Sequence, residues 1–205
     1  MSDVRLVLAS ASPARLATLR QAGLSPEAVV SGVDESGYDD LTPAELARTL
    51  AVAKAEAVAA RLEPDGRGVT VLIGCDSVLE LDGQAYGKPG TAPVAGERWR
   101  RMRGRAGVLH TGHHVLVRRS EASAARTAGA ATTVHFADLS DAEIDAYVAT
   151  GEPLAVAGAF TVDGLGGPFV SRIEGDHHNV VGISLPLLRV MLAELGIAWP
   201  QLWAP

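Results

Sequence analysis

Residues 4–15, VRLVLASASPAR, decide the fold class. VRLVLA is a short apolar run of the kind buried in a sheet, and it passes through Ser10-Ala11-Ser12-Pro13 into Leu16 and Leu19 at helical spacing. Ser12 has a side chain that can cap a helix. Pro13 suits the first turn because its missing N–H would be unpaired there anyway, and Gly23 supplies the stop. A strand feeding a helix through a short loop is the repeating unit of an α/β sheet.

The alternation continues outward from that segment. AVVSG (28–32) is a second strand candidate ahead of an acidic loop from Asp34 to Asp40. Thr42-Pro43-Ala44-Glu45 is a capping box that predicts a helix to about Arg61, with Leu46, Leu50, Ala53 and Ala57 facing inward and Lys54 beside that face. VTVLIG (69–74) reads as a buried strand delivering Cys75, Asp76 and Ser77 at its end. VLELDGQAYG (78–87) is a hairpin on an Asp-Gly turn, leading into Lys88-Pro89. A helix from Pro93 to Met102 follows, then the long strand candidates VLHTGHHVLVRR (108–119) and AGAATTVHF (128–136). A second capping box, Ser140 to Glu143, opens a helix that stops near Gly151. AGAFTVDGLGGPFVSRIEG (157–175) is then a glycine-rich strand-and-turn region, ahead of a last helix from Pro186 to Leu195. The pattern predicts a mixed α/β sheet with flanking helices and antiparallel hairpins, so a purely parallel Rossmann sheet is disfavoured.

Composition narrows the function classes. With 205 residues, 18 basic and 24 acidic, the chain carries a formal charge of −6, which argues against a basic nucleic-acid coat. We expect residues 1–205 to form one domain. The single cysteine, Cys75, has no internal disulfide partner, the amino-terminal stretch lacks the order of a signal peptide, and no apolar run approaches about 20 residues. A cytoplasmic protein is the expectation. Hydrophobic residues make up 47% but aromatic ones only 4%, so the core should be aliphatic and few rings remain for stacking on bases.

Three places could carry chemistry. The SASPAR junction offers a helix N-terminus, two serine hydroxyls and Arg15, a set that suits phosphate; an ordinary serine-capped helix explains the same residues. Asp76, at the exit of an apolar strand, suits a general base or a metal ligand, or a turn aspartate accepting backbone N–H groups. Glu35 in the acidic loop could share a hard cation with Asp76, or be simply solvated. Lys54 and Lys88 gain interest only if they converge on the same place. His110, His113 and His114 lie on a strand where neighbours face opposite ways, and they, like His177 and His178, lack a cysteine pair for zinc. Arg98, Arg100, Arg101, Arg103 and Arg105 read as a solvated helix face. Gly164-Leu165-Gly166-Gly167 lacks the order of a dinucleotide fingerprint and needs no more than a tight turn beside a ligand or strand.

Taken in order, LVLASASPARLATLR, GVDES, AVAKAEAVA, GCDSVLELDGQAYGKP, RAGVLHTGHHV, LSDAEIDAYVATGEP, AGAFTVDGLGG and NVVGISLPLLRVML resemble the Maf family of nucleoside triphosphate pyrophosphatases across nearly the whole chain. The resemblance implies two lobes around a cleft, commonly a homodimer, and a divalent cation, Mg2+ or Mn2+. The implied reaction is hydrolysis of a nucleoside triphosphate to monophosphate and pyrophosphate as house-cleaning of the nucleotide pool. The alternative it leaves is a non-hydrolytic regulator of septum formation. Carried over residue by residue, it makes Asp76 catalytic, Ser10, Arg15, Lys54 and Lys88 phosphate-binding, and Glu35 with Asp76 the metal pair. Where the branch preferring dTTP and UTP has arginine, threonine and glutamine, this chain has Ala14, Ser77 and Asp163. An ionised Asp163 only accepts hydrogen bonds, so it suits a base edge rich in N–H donors, as in guanine or cytosine. The spelling VVGISLP around Ile183-Ser184 is a further local departure.

Overall fold

A computed structural model describes residues 4–38, 40–63, 68–120 and 122–203. The first strand, β1 (Val4–Ala9), turns through Ser10–Ser12 into α1 (Pro13–Gln21), where the Ser12 hydroxyl accepts the N–H of Arg15 as the cap. β1 lies between two parallel neighbours, the two-residue β2 (Glu27–Ala28) and the long β3 (Val69–Leu81). The expected strand at 28–32 is therefore corrected. Pairing ends at Ala28, and one further bond, from the Val29 N–H to the Leu8 carbonyl, leads the chain away into the acidic loop. The helix α2 (Pro43–Ala59) has the full Thr42/Glu45 capping box. Its buried face is Ala47, Leu50, Ala51, Lys54, Ala55 and Val58, one step round from the predicted stripe; Leu46, Ala53 and Ala57 are only half-buried.

β3 does not end at Asp76 as the apolar run suggested. β5 (Ala106–Arg119) pairs with it antiparallel from Val69↔Arg119 to Glu80↔Val108, so the ladder continues past the apolar segment. On the other edge, β1 stops at Ala9↔Gly74 and β4 (Gln84–Tyr86) begins at Leu79↔Tyr86. Among the described residues, 75–78 thus have no strand neighbour on that edge. The β3–β4 turn carries Asp82 and Gly83 at φ 55° and 75°, the geometry expected of an Asp-Gly hairpin. β6 (Ser123–Phe136) pairs with β5, and β7 (Val170–Glu174) with the end of β6, giving the order β2-β1-β3-β5-β6-β7 with β4 on β3.

Three apolar clusters flank this sheet. One joins α1 and α6 (Leu185–Glu194) to β1 and the first half of β3. A second joins the outer face of β1 and β3 to α2 through Val7, Ala9, Leu72, Ala55 and Val58. The third packs α3 (Ala92–Met102) and α4 (Asp141–Ala149) on the far half of β3, β5 and β6. The first two are mainly aliphatic, with Trp199 alone among the rings packed against the first. Most of the few rings gather in the third, where Phe136, Tyr147 and Phe169 all meet Trp99 edge-on at 5.6–6.0 Å. The region 157–175 holds short 3-10 turns before β7, and a further short helix, α5 (His177–Val181), precedes α6. No helix among the described residues is long and apolar enough to cross a membrane.

Candidate active site

The unpaired edge of β3 is the floor of a cleft of about 1400 Å³ between the α1/α2 half and the α3/α4 half of the molecule. A crevice where one strand neighbour stops and the next begins is a common ligand position in α/β sheets. Ser10, Ala14, Arg15, Glu35, Lys54, Asp76, Ser77, Lys88 and Asp163 all line it, so residues spread over most of the chain converge on one place.

Lys54 and Asp76 form its centre. Both are buried, and the Lys54 ammonium lies between the Asp76 carboxylate and Glu35, whose Oε1 is 2.7 Å away. Burial pushes the Asp76 pKa up; Lys54 and Arg15 pull it back and Glu35 adds to the rise, leaving it above the ordinary aspartate value. Two glycines make this contact possible. A Cβ on Gly112, the register partner of Asp76, would land on the carbonyl of Ala47, and one on Gly74 would land on the carbonyl of Ala51. α2 therefore rests directly on the backbone of β3 and β5, close enough for Lys54 to reach Asp76.

The SASPAR loop is tied in from below. Arg15 donates from Nε to the Gly182 carbonyl (2.7 Å), from Nη1 to Ser10 Oγ (3.2 Å) and the Cys75 carbonyl (3.0 Å), and from Nη2 to Ser77 Oγ (2.9 Å). Four of its five N–H groups are thus committed within the protein, leaving one on Nη2 without an acceptor among the described residues. Ser10 Oγ accepts from Arg15 and from the Ser12 N–H, and among the described residues its own proton remains to be donated. Lys88, exposed on the opposite wall, has no ion-pair partner among the described residues. Cys75 is fully enclosed, its thiol pushed up to about 12 by burial, and is inert.

Several residues have supporting roles that sequence spacing does not show. The ring of His113 donates from Nδ1 to the Thr111 carbonyl (3.1 Å) and accepts the Ser184 N–H at Nε2 (2.9 Å). Ser184 in turn caps α6 through Leu187, which accounts for the serine in VVGISLP. Asn179 Nδ2 donates to the Leu109 carbonyl and to Thr132. These bonds fasten 179–184, and with them the Gly182 carbonyl that holds Arg15. His110 and His114 pair with Glu80 and Thr127. Asp176, His177 and His178 have ligand atoms within 4.8 Å of one another, with Asp176 already capping α5 through the His178 N–H. Arg98 corrects the idea of a uniformly solvated arginine face: it is buried, donates to the Gly87 carbonyl beside Lys88, and lies 4.9 Å from the Tyr86 ring. Arg100, Arg101, Arg103 and Arg105 are each paired with a carboxylate.

Fold and site together define a class: a mixed α/β protein whose cleft sets a buried carboxylate among basic side chains. Residues 5–195 match the family model described as Maf-like protein, and the chain belongs to that family. It is 59% identical over 201 residues to a protein of Streptomyces coelicolor, covering 98% of this chain and 95% of the relative. It is also 59% identical over 203 residues to one of Salinispora tropica (98% and 88%), and 54% identical over 201 residues to one of Cutibacterium acnes (96% and 93%). All three relatives carry the name nucleoside triphosphate pyrophosphatase.

Proposed function

We propose that this protein is a nucleoside triphosphate pyrophosphatase that works through the Asp76–Lys54 centre. The observation carrying the assignment is that a buried carboxylate held against an ammonium faces a cleft whose other walls supply Ser10 and Lys88. Asp76 orients the attacking water and takes its proton. The water oxygen bonds to the α-phosphorus, the bond from that phosphorus to the α,β-bridging oxygen breaks in line, and pyrophosphate leaves. Ser10 Oγ–H, the Lys88 ammonium and the remaining Nη2 proton of Arg15 hold phosphate oxygens. Lys54 offsets the charge that spreads onto the leaving group.

The donor set suits a hard divalent cation. Lys54 engages one oxygen of each carboxylate, so Asp76 Oδ2 and Glu35 Oε2 keep open lone pairs among the described residues, hard oxygen donors of the kind such a cation takes. Glu35 and Asp76 would hold Mg2+ or Mn2+, which supplies charge neutralisation of the triphosphate. Ala14, Ser77 and Asp163 form the base-selecting set. Ser77 is already bound by Arg15 and Thr111, which leaves Asp163 as the exposed acceptor. The base preference follows: guanine- or cytosine-type or modified nucleotides over dTTP and UTP. We further propose that residues 1–205 act as one domain, as a cytoplasmic homodimer in nucleotide house-cleaning. The carboxylate pairing of Arg100, Arg101, Arg103 and Arg105 argues against a nucleic-acid surface. The test is pyrophosphate release across GTP, CTP, UTP, dTTP and 7-methyl-GTP, with and without Mg2+ or Mn2+. Clear preference for dTTP refutes the base assignment, and full turnover in chelator refutes the cation assignment.

A further inference from the structure

The glycine-rich stretch 164–167 follows no nucleotide-binding pattern, and the structure shows what it surrounds. Glu152, at the start of a 3-10 turn (Glu152–Ala155), directs its carboxylate into the loop that runs from Thr161 to Gly166. Oε1 accepts from Tyr147 OH (3.0 Å), Thr161 Oγ1 (2.5 Å) and the Gly166 N–H (3.0 Å), and Oε2 accepts from the Leu165 N–H (2.9 Å). Every partner is a donor, and an ionised carboxylate, which only accepts, is the side chain that matches them. Burial alone would raise the Glu152 pKa; the donors outweigh it and hold the group below its ordinary value. The glycines belong to the same device. A Cβ on Gly164 would lie 2.6 Å from Glu152 Oε2, and one on Gly166 would lie 2.5 Å from Tyr147 OH and 2.7 Å from the Thr161 carbonyl. Loop and carboxylate fit only with bare backbone at both places.

Asp163 sits between those clamped points, and Glu152, Thr161, Asp163 and Gly164 line the cleft together. We infer that Glu152 is the positioning residue of the base-reading loop: its carboxylate fixes where Asp163 and the adjoining backbone meet the base, and so sets how sharply the cleft discriminates among nucleotides. The inference rests on the proposal that this wall reads the base.

Glu152→Gln separates this role from a general one. A glutamine has one oxygen to offer, and its amide N–H groups face donors, so the loop loses an anchor while size is kept. Hydrogen bonds to a charged group contribute enough that KM for the favoured nucleoside triphosphate should rise about tenfold, more than kcat falls. The spread of kcat/KM across GTP, CTP, UTP and dTTP should narrow. Inorganic tripolyphosphate, which has no base, should inhibit the variant and the parent with the same Ki. An unchanged spread, or a tripolyphosphate Ki that rises in step with KM, overturns the inference; the second result is what mere loosening of the cleft gives. Asp163→Ala in the intact protein tests the underlying reading separately. If it narrows the spread and Glu152→Gln does not, Glu152 alone is wrongly placed. If Glu152→Gln narrows it and Asp163→Ala does not, the loop backbone reads the base, and Glu152 keeps its role.

Discussion

At the scale of single residues, the site works by placing charges where water is scarce. Asp76 has its pKa raised mainly by burial, so the folded protein binds its proton more readily than the unfolded chain does. Its contribution to stability is greatest at low pH and declines as pH rises through the raised value, so ionised Asp76 costs stability at neutral pH. Asp76→Asn should melt no lower than the parent at pH 7, as read by thermal unfolding. The same shift places the acid limb of kcat/KM above the ordinary aspartate value of 3.8. His113 runs the other way. Burial first, then Arg15, pushes it down to about 4 from 6.5, so it stays neutral and accepts from Ser184. The unfolded chain takes up the proton first on acidification, and between pH 7 and 5 this one group should cost about 2 kcal/mol. A His113→Gln variant keeps an acceptor that does not titrate, so its unfolding midpoint should fall less over that interval; equal slopes refute the assignment. Spacing alone does not bring the two lysines together; that Ser10, Arg15, Lys54, Asp76 and Lys88 share one cleft was legible only through the family resemblance, which fixes their order along the chain. Arg15's commitment to four internal bonds was not, since its acceptors at Gly182, Cys75 and Ser77 come from distant segments.

Elements place these residues through backbone contacts that side-chain patterns do not encode. The capping boxes of α2 and α4, the Asp-Gly hairpin and the strand into α1 were all readable locally, because each depends on residues within a few positions. The continuity of the hairpin's first strand, 78–81, with 69–74 was not, since the join across 75–77 is held by β5, whose matching residues lie some distance along the chain. The inward face of α2 was read one step off for a related reason: it is set by where Gly74 and Gly112 let the helix rest. A glycine inside a strand pattern is itself a signal of close backbone approach, and it was the clue available. Gly112→Ala tests this. Its Cβ cannot fit beneath Ala47, so α2 must shift, at a cost of about 1–3 kcal/mol in denaturant unfolding. Because Lys54 moves with the helix, pyrophosphate release should fall by more than the unfolded fraction explains. A variant with unchanged activity would mean that Lys54 does not depend on this seating.

For the whole molecule, the long strands β3, β5 and β6 pass through both halves and hold the cleft walls on one sheet. The charge of −6 describes the exterior, where arginines are paired with carboxylates, and conceals the small group of cations, Arg15, Lys54 and Lys88, that line the cleft. The scarcity of aromatic residues also takes a definite form. Most of the rings close the α3/α4 core around Trp99, although Tyr38 and Phe160 do reach the cleft wall. In the proposed function, selection of the base falls mainly to polar groups, and a substrate panel should favour donor-rich bases over uracil and thymine. The central claim is that Asp76 activates water for attack on a triphosphate. Its most direct test is pyrophosphate release by the parent and by Asp76→Asn, both shown to be folded, with the favoured nucleotide and Mg2+. Loss of at least about a hundredfold in kcat is the predicted result; a folded Asp76→Asn protein that turns over at a rate near the parent's contradicts the account.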